Sequence, residues 1–328
     1  MIVDLPNTTS SRISKALVRI REEGGAVALG RVLTLVIASE LGHEEEAIEA
    51  ANDASREHPM RVIVVSTVQD SPDGVAKPEP RLDAEIRVGG DAGASEVIVL
   101  RAYGDAASDP ESLVTGLLLP DAPVVAWWPG VAPEIPSESP LGRIAYRRIT
   151  DASAQPDPQA ALHRLCGTYR PGDTDFAWTR LTLWRAQLAA VLDQPPYQPV
   201  TSVEVSGALD SPSTTLLAAW LQLALQVQVR YELTRGPLSN GIRGVHMTRP
   251  SGTISLVREI PDIATLTQPG QPSQDLTLKR RSLRDCLSDE LRRLDPDELY
   301  GEVITRGLPQ LDDVVAKKAG DGRIGVRA

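Results

Sequence analysis

Cysteine is nearly absent: Cys166 and Cys286 are the only two in 328 residues. Neither belongs to a CxxC pair, and two thiols so far apart in sequence make no disulfide framework, so both are expected as buried structural thiols. Phenylalanine occurs once, and arginine outnumbers lysine, a bias that fits high-GC bacterial coding. No apolar run is long enough to span a bilayer; the longest, 216–229, is broken by Gln222, Gln226 and Gln228. The opening MIVDLPNTTSS lacks a basic stretch followed by an apolar core, so no secretory signal is expected. Positive charge is scarce as well. A net charge of −10 argues against nucleic acid or an anionic membrane as the main partner, because both need clustered cations. The local exception, Lys279-Arg280-Arg281, reads as a solvated edge beside a strand. A soluble, cytoplasmic protein is the expectation.

Signatures of catalysis are missing too. Gly89-Gly90-Asp-Ala-Gly93 lacks GxGxxG spacing and joins two strands, while Gly24 to Gly30 follows a helix rather than a strand, so neither is a dinucleotide fingerprint. There is no GxxxxGK[ST] phosphate loop and no GxSxG elbow. The four histidines, His43, His58, His163 and His246, form no HExxH pair. His43 precedes Glu44, Glu45 and Glu46, but acidic residues in a first helical turn simply complement the helix dipole. Neither a cofactor nor a metal is expected.

What is present is an ordinary globular composition, 41% hydrophobic and 24% charged, on a chain long enough for two cores. Ile13, Ala16, Leu17 and Ile20 mark one face of a first helix, which Gly24-Gly25 ends. Two near-continuous aliphatic runs, 31–38 and 61–67, read as strands buried on both faces, with a helix over 44–57 between them: a βαβ unit. Alternation over 82–88 predicts an edge or antiparallel strand. Further strands are read at 96–102 and 123–128, with a short helix over 110–118. Residues 157–193 read as helical, striped by Leu181, Trp184, Leu188, Val191 and Leu192. Beyond Pro195-Pro196 come strands at 200–206, 226–233, 242–248, 253–258 and 274–279, and a buried helix from Pro212 to about 226. Ser282 with Asp285 opens a helix, and Asp295-Pro296 caps a last one.

The expected class is therefore α/β: two α/β domains with mixed sheets joined by a helical segment. The boundaries are drawn as an N-terminal domain over 1–150, a helical connector over 151–195, a C-terminal domain over 196–311 and a flexible tail over 312–328.

Two places carry site potential. Trp127-Trp128-Pro129-Gly130 ends a buried strand; adjacent rings there point to opposite sides, so one can pack inside while the other faces outward as a partner anchor. The bland alternative is that both cover the core. Ser206, Gly207, Ser211, Ser213 and Thr214 surround the joint between a strand's carboxyl end and a helix start, where free N–H groups and hydroxyls can hold an anion. A plain helix cap is the competing reading.

Three long stretches, MIVDLPNTTSSRISKALVRIREEGGAVALGRVLTLVI, ASREHPMRVIVVS and LLLPDAPVVAWWPG, resemble the glucose-6-phosphate dehydrogenase assembly protein family, OpcA. So do 202–220 and the 241–258 hairpin, in the same order. The resemblance implies a non-catalytic assembly or activating partner of glucose-6-phosphate dehydrogenase in the oxidative pentose phosphate pathway, with no catalytic residues to carry over. It also connects some members with thiol redox control, for which Cys166 and Cys286 supply no local motif. The rival classes are a sugar-phosphate or nucleotide sensor using the Ser206–Thr214 region, and an enzyme without known motifs.

Overall fold

The computed structural model describes residues 1–23, 32–68, 78–89, 96–234 and 241–311. The tail expected over 312–328, the Gly24-Gly25 helix stop and residues 90–93 of the Gly89–Gly93 turn lie outside the described residues. The chain divides into two compact α/β units. Their residues interleave where the sequence suggested a linear order. The first unit holds Met1–Asp151, Gly172–Thr174 and Ser282–Pro296; the second holds Ala152–Pro171, Asp175–Arg281 and the chain from Asp297.

In the first unit the strands are β1 (Ile2–Leu5), β2 (Leu33–Ser39), β3 (Met60–Val68), β4 (Arg81–Val88), β5 (Glu96–Tyr103), β6 (Val124–Trp127), β7 (Arg147–Thr150) and β8 (Asp173–Asp175). They form one sheet in the order β1-β4-β5-β3-β2-β6-β7-β8. The run β5-β3-β2-β6-β7 is parallel throughout, while β4 lies antiparallel to β1 and β5. Residue type explains the placement. Strands β2, β3 and β5 are aliphatic nearly end to end and are buried on both faces, as a covered parallel sheet requires. Strand β4 alternates, burying Leu82, Ala84 and Ile86. Helix α1 (Ser10–Glu23) lays Ile13, Ala16, Leu17 and Ile20 on one face of the sheet, against Val36, Ile63 and Ile98. Burying each such side chain contributes about 1.5–3 kcal/mol. Helix α2 (Glu45–Ala54) joins β2 to β3, and the short α3 (Pro110–Thr115) and α4 (Pro140–Arg143) flank β6.

The second unit begins with α5 (Pro158–Thr168), α6 (Phe176–Thr179) and α7 (Thr182–Leu192). The continuous helical reading of 157–193 is thus corrected. Pro171-Gly172 interrupts it: Gly172 sits at φ +95, and a Cβ there would meet the Tyr146 carbonyl at 2.7 Å, so the chain breaks and enters β8. Next come β9 (Ser202–Ala208), α8 (Pro212–Leu225), β10 (Val229–Thr234), β11 (Ile242–Arg249), β12 (Gly252–Ile260), β13 (Ile263–Thr267) and β14 (Gln274–Thr277). The sheet order is β10-β9-β11-β12-β13-β14. Only β9 and β10 are parallel, joined by α8 as a crossover; the remaining pairs are antiparallel. Val203, Val205, Leu216, Leu217, Val245 and Leu256 belong to the core between sheet and helices.

Helix α9 (Leu283–Arg292) opens with the capping box expected at Ser282 and Asp285, and it returns to the first unit beside α2. Helix α10 (Glu298–Glu302), which runs on into a π-helical turn over Val303–Gly307, is capped by Asp297, two positions after the residue read from sequence; its carboxylate accepts from both Tyr300 N and Trp178 Nε1.

Candidate functional site

Among the parallel strands of the first unit the spatial order, counted in chain order, is 3-2-1-4-5. Open sheets of this order bind ligands where the order reverses, at the carboxyl ends of the strands; here that place lies between β2 and β6. Trp127 ends β6, and Trp128 follows, its N–H donating to Ile149 O at 3.0 Å. Alternation sends the rings to opposite faces, yet both are buried, Trp127 at 0% exposure and Trp128 at 5%. Neither ring faces outward as the anchor reading of the sequence would have it; both are covered, as in its alternative. Trp128 instead joins the core on the α1 face, and half-buried Pro129 and Gly130 are what the turn shows to solvent.

The helix that would cradle a dinucleotide's pyrophosphate in such a sheet is α2, and it carries carboxylates in place of glycines. Glu45 and Glu46 occupy its first turn, and Glu44 is its N-cap. The Glu44 carboxylate is buried, accepting from Ser66 Oγ at 2.8 Å and standing 3.6 Å from Arg101 Nε. These carboxylates complement the helix dipole themselves, and Glu45 and Glu44 are further engaged by Arg87 and Arg101.

The second unit presents the opposite electrostatics at the equivalent joint. At the carboxyl end of β9 the chain turns into α8, and a cavity of about 170 Å3 opens there. Ser211 and Ser213 line it, along with Gly241 and Ile242 from β11 and the turn before it. Its other walls include Arg180, Arg258, Lys279, Arg280 and Arg281; among the described residues that line it Asp210 is the sole carboxylate, with Asp262 close by. Five cations thus converge in a chain of net charge −10. The Lys279-Arg280-Arg281 run, read from sequence as a solvated edge, is one wall of this cavity. Its sequence signal was visible, but proximity to Arg180, about a hundred positions earlier, was not.

The inner cations are held in place by hydrogen bonds to backbone carbonyls and a serine hydroxyl. Arg258 donates to Ile242 O at 2.9 Å and Leu278 O at 3.3 Å, with its guanidinium 5.7 Å from the centre of the buried Trp184 ring. Arg281 donates to Thr179 O at 3.0 Å, and Arg180 to Ser153 Oγ at 3.3 Å. Burial first, and then the charge of Arg280, hold the Arg258 guanidinium below its ordinary pKa, with Asp262 opposing. Like charges have been gathered there at a cost.

The five residues singled out at this joint have different fates. Ser213 Oγ is committed to Ala177 O at 2.8 Å. Thr214 is fully buried, its Oγ1 unpaired and pressed against Gly207. Gly207 must lack a side chain, since a Cβ would lie 2.3 Å from Thr214 Oγ1 and 2.7 Å from Gly241 O. Ser206 lies half-buried in β9, outside the cavity lining. Ser211, 7% exposed, makes no side-chain cap to α8 although it holds the N-cap position.

Among the described residues no cluster of three His, Cys, Asp or Glu is placed to hold a metal ion, and no helix is long and apolar enough to cross a membrane. Cys286 is buried in the first unit and Cys166 half-buried in the second, neither of them in a disulfide.

Two domains of one family match the chain: the glucose-6-phosphate dehydrogenase subunit N-terminal domain over residues 51–167, and its C-terminal domain over 171–304. Together they span well over half of it. The chain belongs to the OpcA family. Members of OpcA are assembly and activating subunits of glucose-6-phosphate dehydrogenase without catalysis of their own, and the chain is of this kind. The OpcA C-terminal domain contains the whole cationic cavity except Ser153. No protein of curated function matches the sequence. Several solved structures resemble the chain loosely, two of them as follows. A 3-ketoreductase, KijD10 of Actinomadura kijaniata, is 11% identical over 85% of this chain and 96% of its own, with a TM-score of 0.47. A glucose-6-phosphate 1-dehydrogenase of Mycobacterium avium is 12% identical over 86% and 92%, with a TM-score of 0.39.

Proposed function

We propose that this chain binds a glucose-6-phosphate dehydrogenase in the cytoplasm and favours its assembled, competent form. The observation that carries the reading is the match of both family domains, in order, across 51–304. The start of α2 is in keeping with it, because carboxylates stand there in place of the glycines of a pyrophosphate cradle. A partner of this type works by differential affinity alone. Moving a dehydrogenase from 1% to 99% competent takes about 10,000-fold tighter binding to the competent form, and a smaller preference gives a proportionately smaller activation. Nucleic acid and membrane have no place in this function, in keeping with the net charge of −10.

The test is sedimentation velocity on the purified chain and the dehydrogenase from the same cytoplasm, alone and mixed. A new, faster species containing both is expected. Unchanged sedimentation of both components across micromolar concentrations would remove the proposal.

A further inference from the structure

We infer that the cationic cavity beside the start of α8 is a binding site for a phosphate monoester. The inference is independent of dehydrogenase docking, because it concerns a cavity whose lining comes wholly from the second unit.

Four observations converge. The first is charge: five basic side chains and one carboxylate surround about 170 Å3, and a dianionic group relieves the repulsion that such a cluster stores. The second is the uncommitted hydroxyl of Ser211. The residue is more than nine-tenths buried, it lines the cavity, and its side chain neither caps α8 nor bonds elsewhere among the described residues. Its hydroxyl opens onto the cavity and is available to donate to a guest there. The third is the helix. α8 is 14 residues long, its first-turn N–H groups lack intrahelical acceptors, and its dipole adds to the local positive potential. Pro212 at the first helical position gives up the one N–H that would be hardest to aim. The fourth is size. About 170 Å3 is open to water there. That is more than one phosphate group needs, and it leaves room for part of whatever the group is attached to.

The residues divide the work. Arg258, fixed by two carbonyls and by Trp184, holds a positive charge in place at the inner end. Lys279 and Arg280 are exposed at the rim and attract the anion over a longer range. Ser211 Oγ donates to it. An aromatic wall at Trp184 accepts the less polar part of the ester.

Titration calorimetry on the full chain tests this with three probes: inorganic phosphate, glucose 6-phosphate and glucose. Saturable binding of glucose 6-phosphate is expected, with inorganic phosphate weaker and glucose silent. The rim variant Lys279→Glu/Arg280→Glu, exposed and therefore folded, should bind roughly tenfold more weakly or worse, and Ser211→Ala about tenfold more weakly. Circular dichroism checks that both variants fold. Binding of inorganic phosphate as tight as that of the sugar ester would reduce the site to one for free phosphate. Equal binding by wild type and both variants, or no heat with either phosphate probe, would overturn the proposal. None of these outcomes bears on whether the dehydrogenase binds, which sedimentation reports separately.

Discussion

Arg147 and Glu290 are both buried and hydrogen-bonded to one another, and Arg147 also donates to Asp295 O at 2.8 Å. Removing either partner leaves the other charge buried without this ion pair. Arg147→Ala or Glu290→Ala should therefore cost about 3–5 kcal/mol each, while Arg147→Met with Glu290→Leu should recover most of the loss. Urea unfolding of the four species checks this, and additive losses would contradict it. The tryptophans make a second residue-level case. Both rings are buried, so Trp127→Ala and Trp128→Ala should each cost about 3–5 kcal/mol, seen as lowered melting temperatures. A Trp128→Ala protein of native stability that no longer holds the dehydrogenase would show instead that this ring is a contact residue.

At the scale of elements, the joint of β9 and α8 depends on one glycine. Gly207→Ala places a methyl group 2.3 Å from Thr214 Oγ1 and should destabilise the second unit by about 1–3 kcal/mol, measurable by thermal unfolding. Some elements could be read from the residues directly. Strands β2, β3 and β5 announce themselves by aliphatic runs, α8 by its uncharged length after Ser211-Pro212, and α9 by its capping box. Others could not. Strand β7, Arg147-Arg148-Ile149-Thr150, looks like exposed polar chain, but its arginines are buried against Glu290 and Asp173. Strand β8 is Asp-Thr-Asp and equally buried. Periodicity detects apolar faces, so a strand whose burial is satisfied by ion pairs gives no signal. The return of α9 to the first unit is hidden for the same reason, since Glu290 is one of the groups that place it there. The cavity was legible in part: the strand-to-helix joint and its serines stood out, while Arg180, Arg258 and the 279–281 run meet only in the folded chain.

For the whole molecule, the distribution of charge matters more than its total. A chain of net charge −10 places carboxylates at the helix start where one α/β sheet would take a dinucleotide, and gathers five cations where the other turns from strand to helix. The first arrangement fits a protein that leaves the chemistry to its partner, and the second gives it something of its own to hold. The central claim is that the partner's competence depends on this chain. It is measured most directly by the dehydrogenase's initial rate, at fixed low enzyme and substrate, as the purified chain is titrated in. A saturable rise in kcat/KM is expected, with half-saturation at the concentration that forms the complex, and none from the chain alone. A flat rate through saturation of the complex, or turnover of glucose 6-phosphate by the chain without the dehydrogenase, would contradict it.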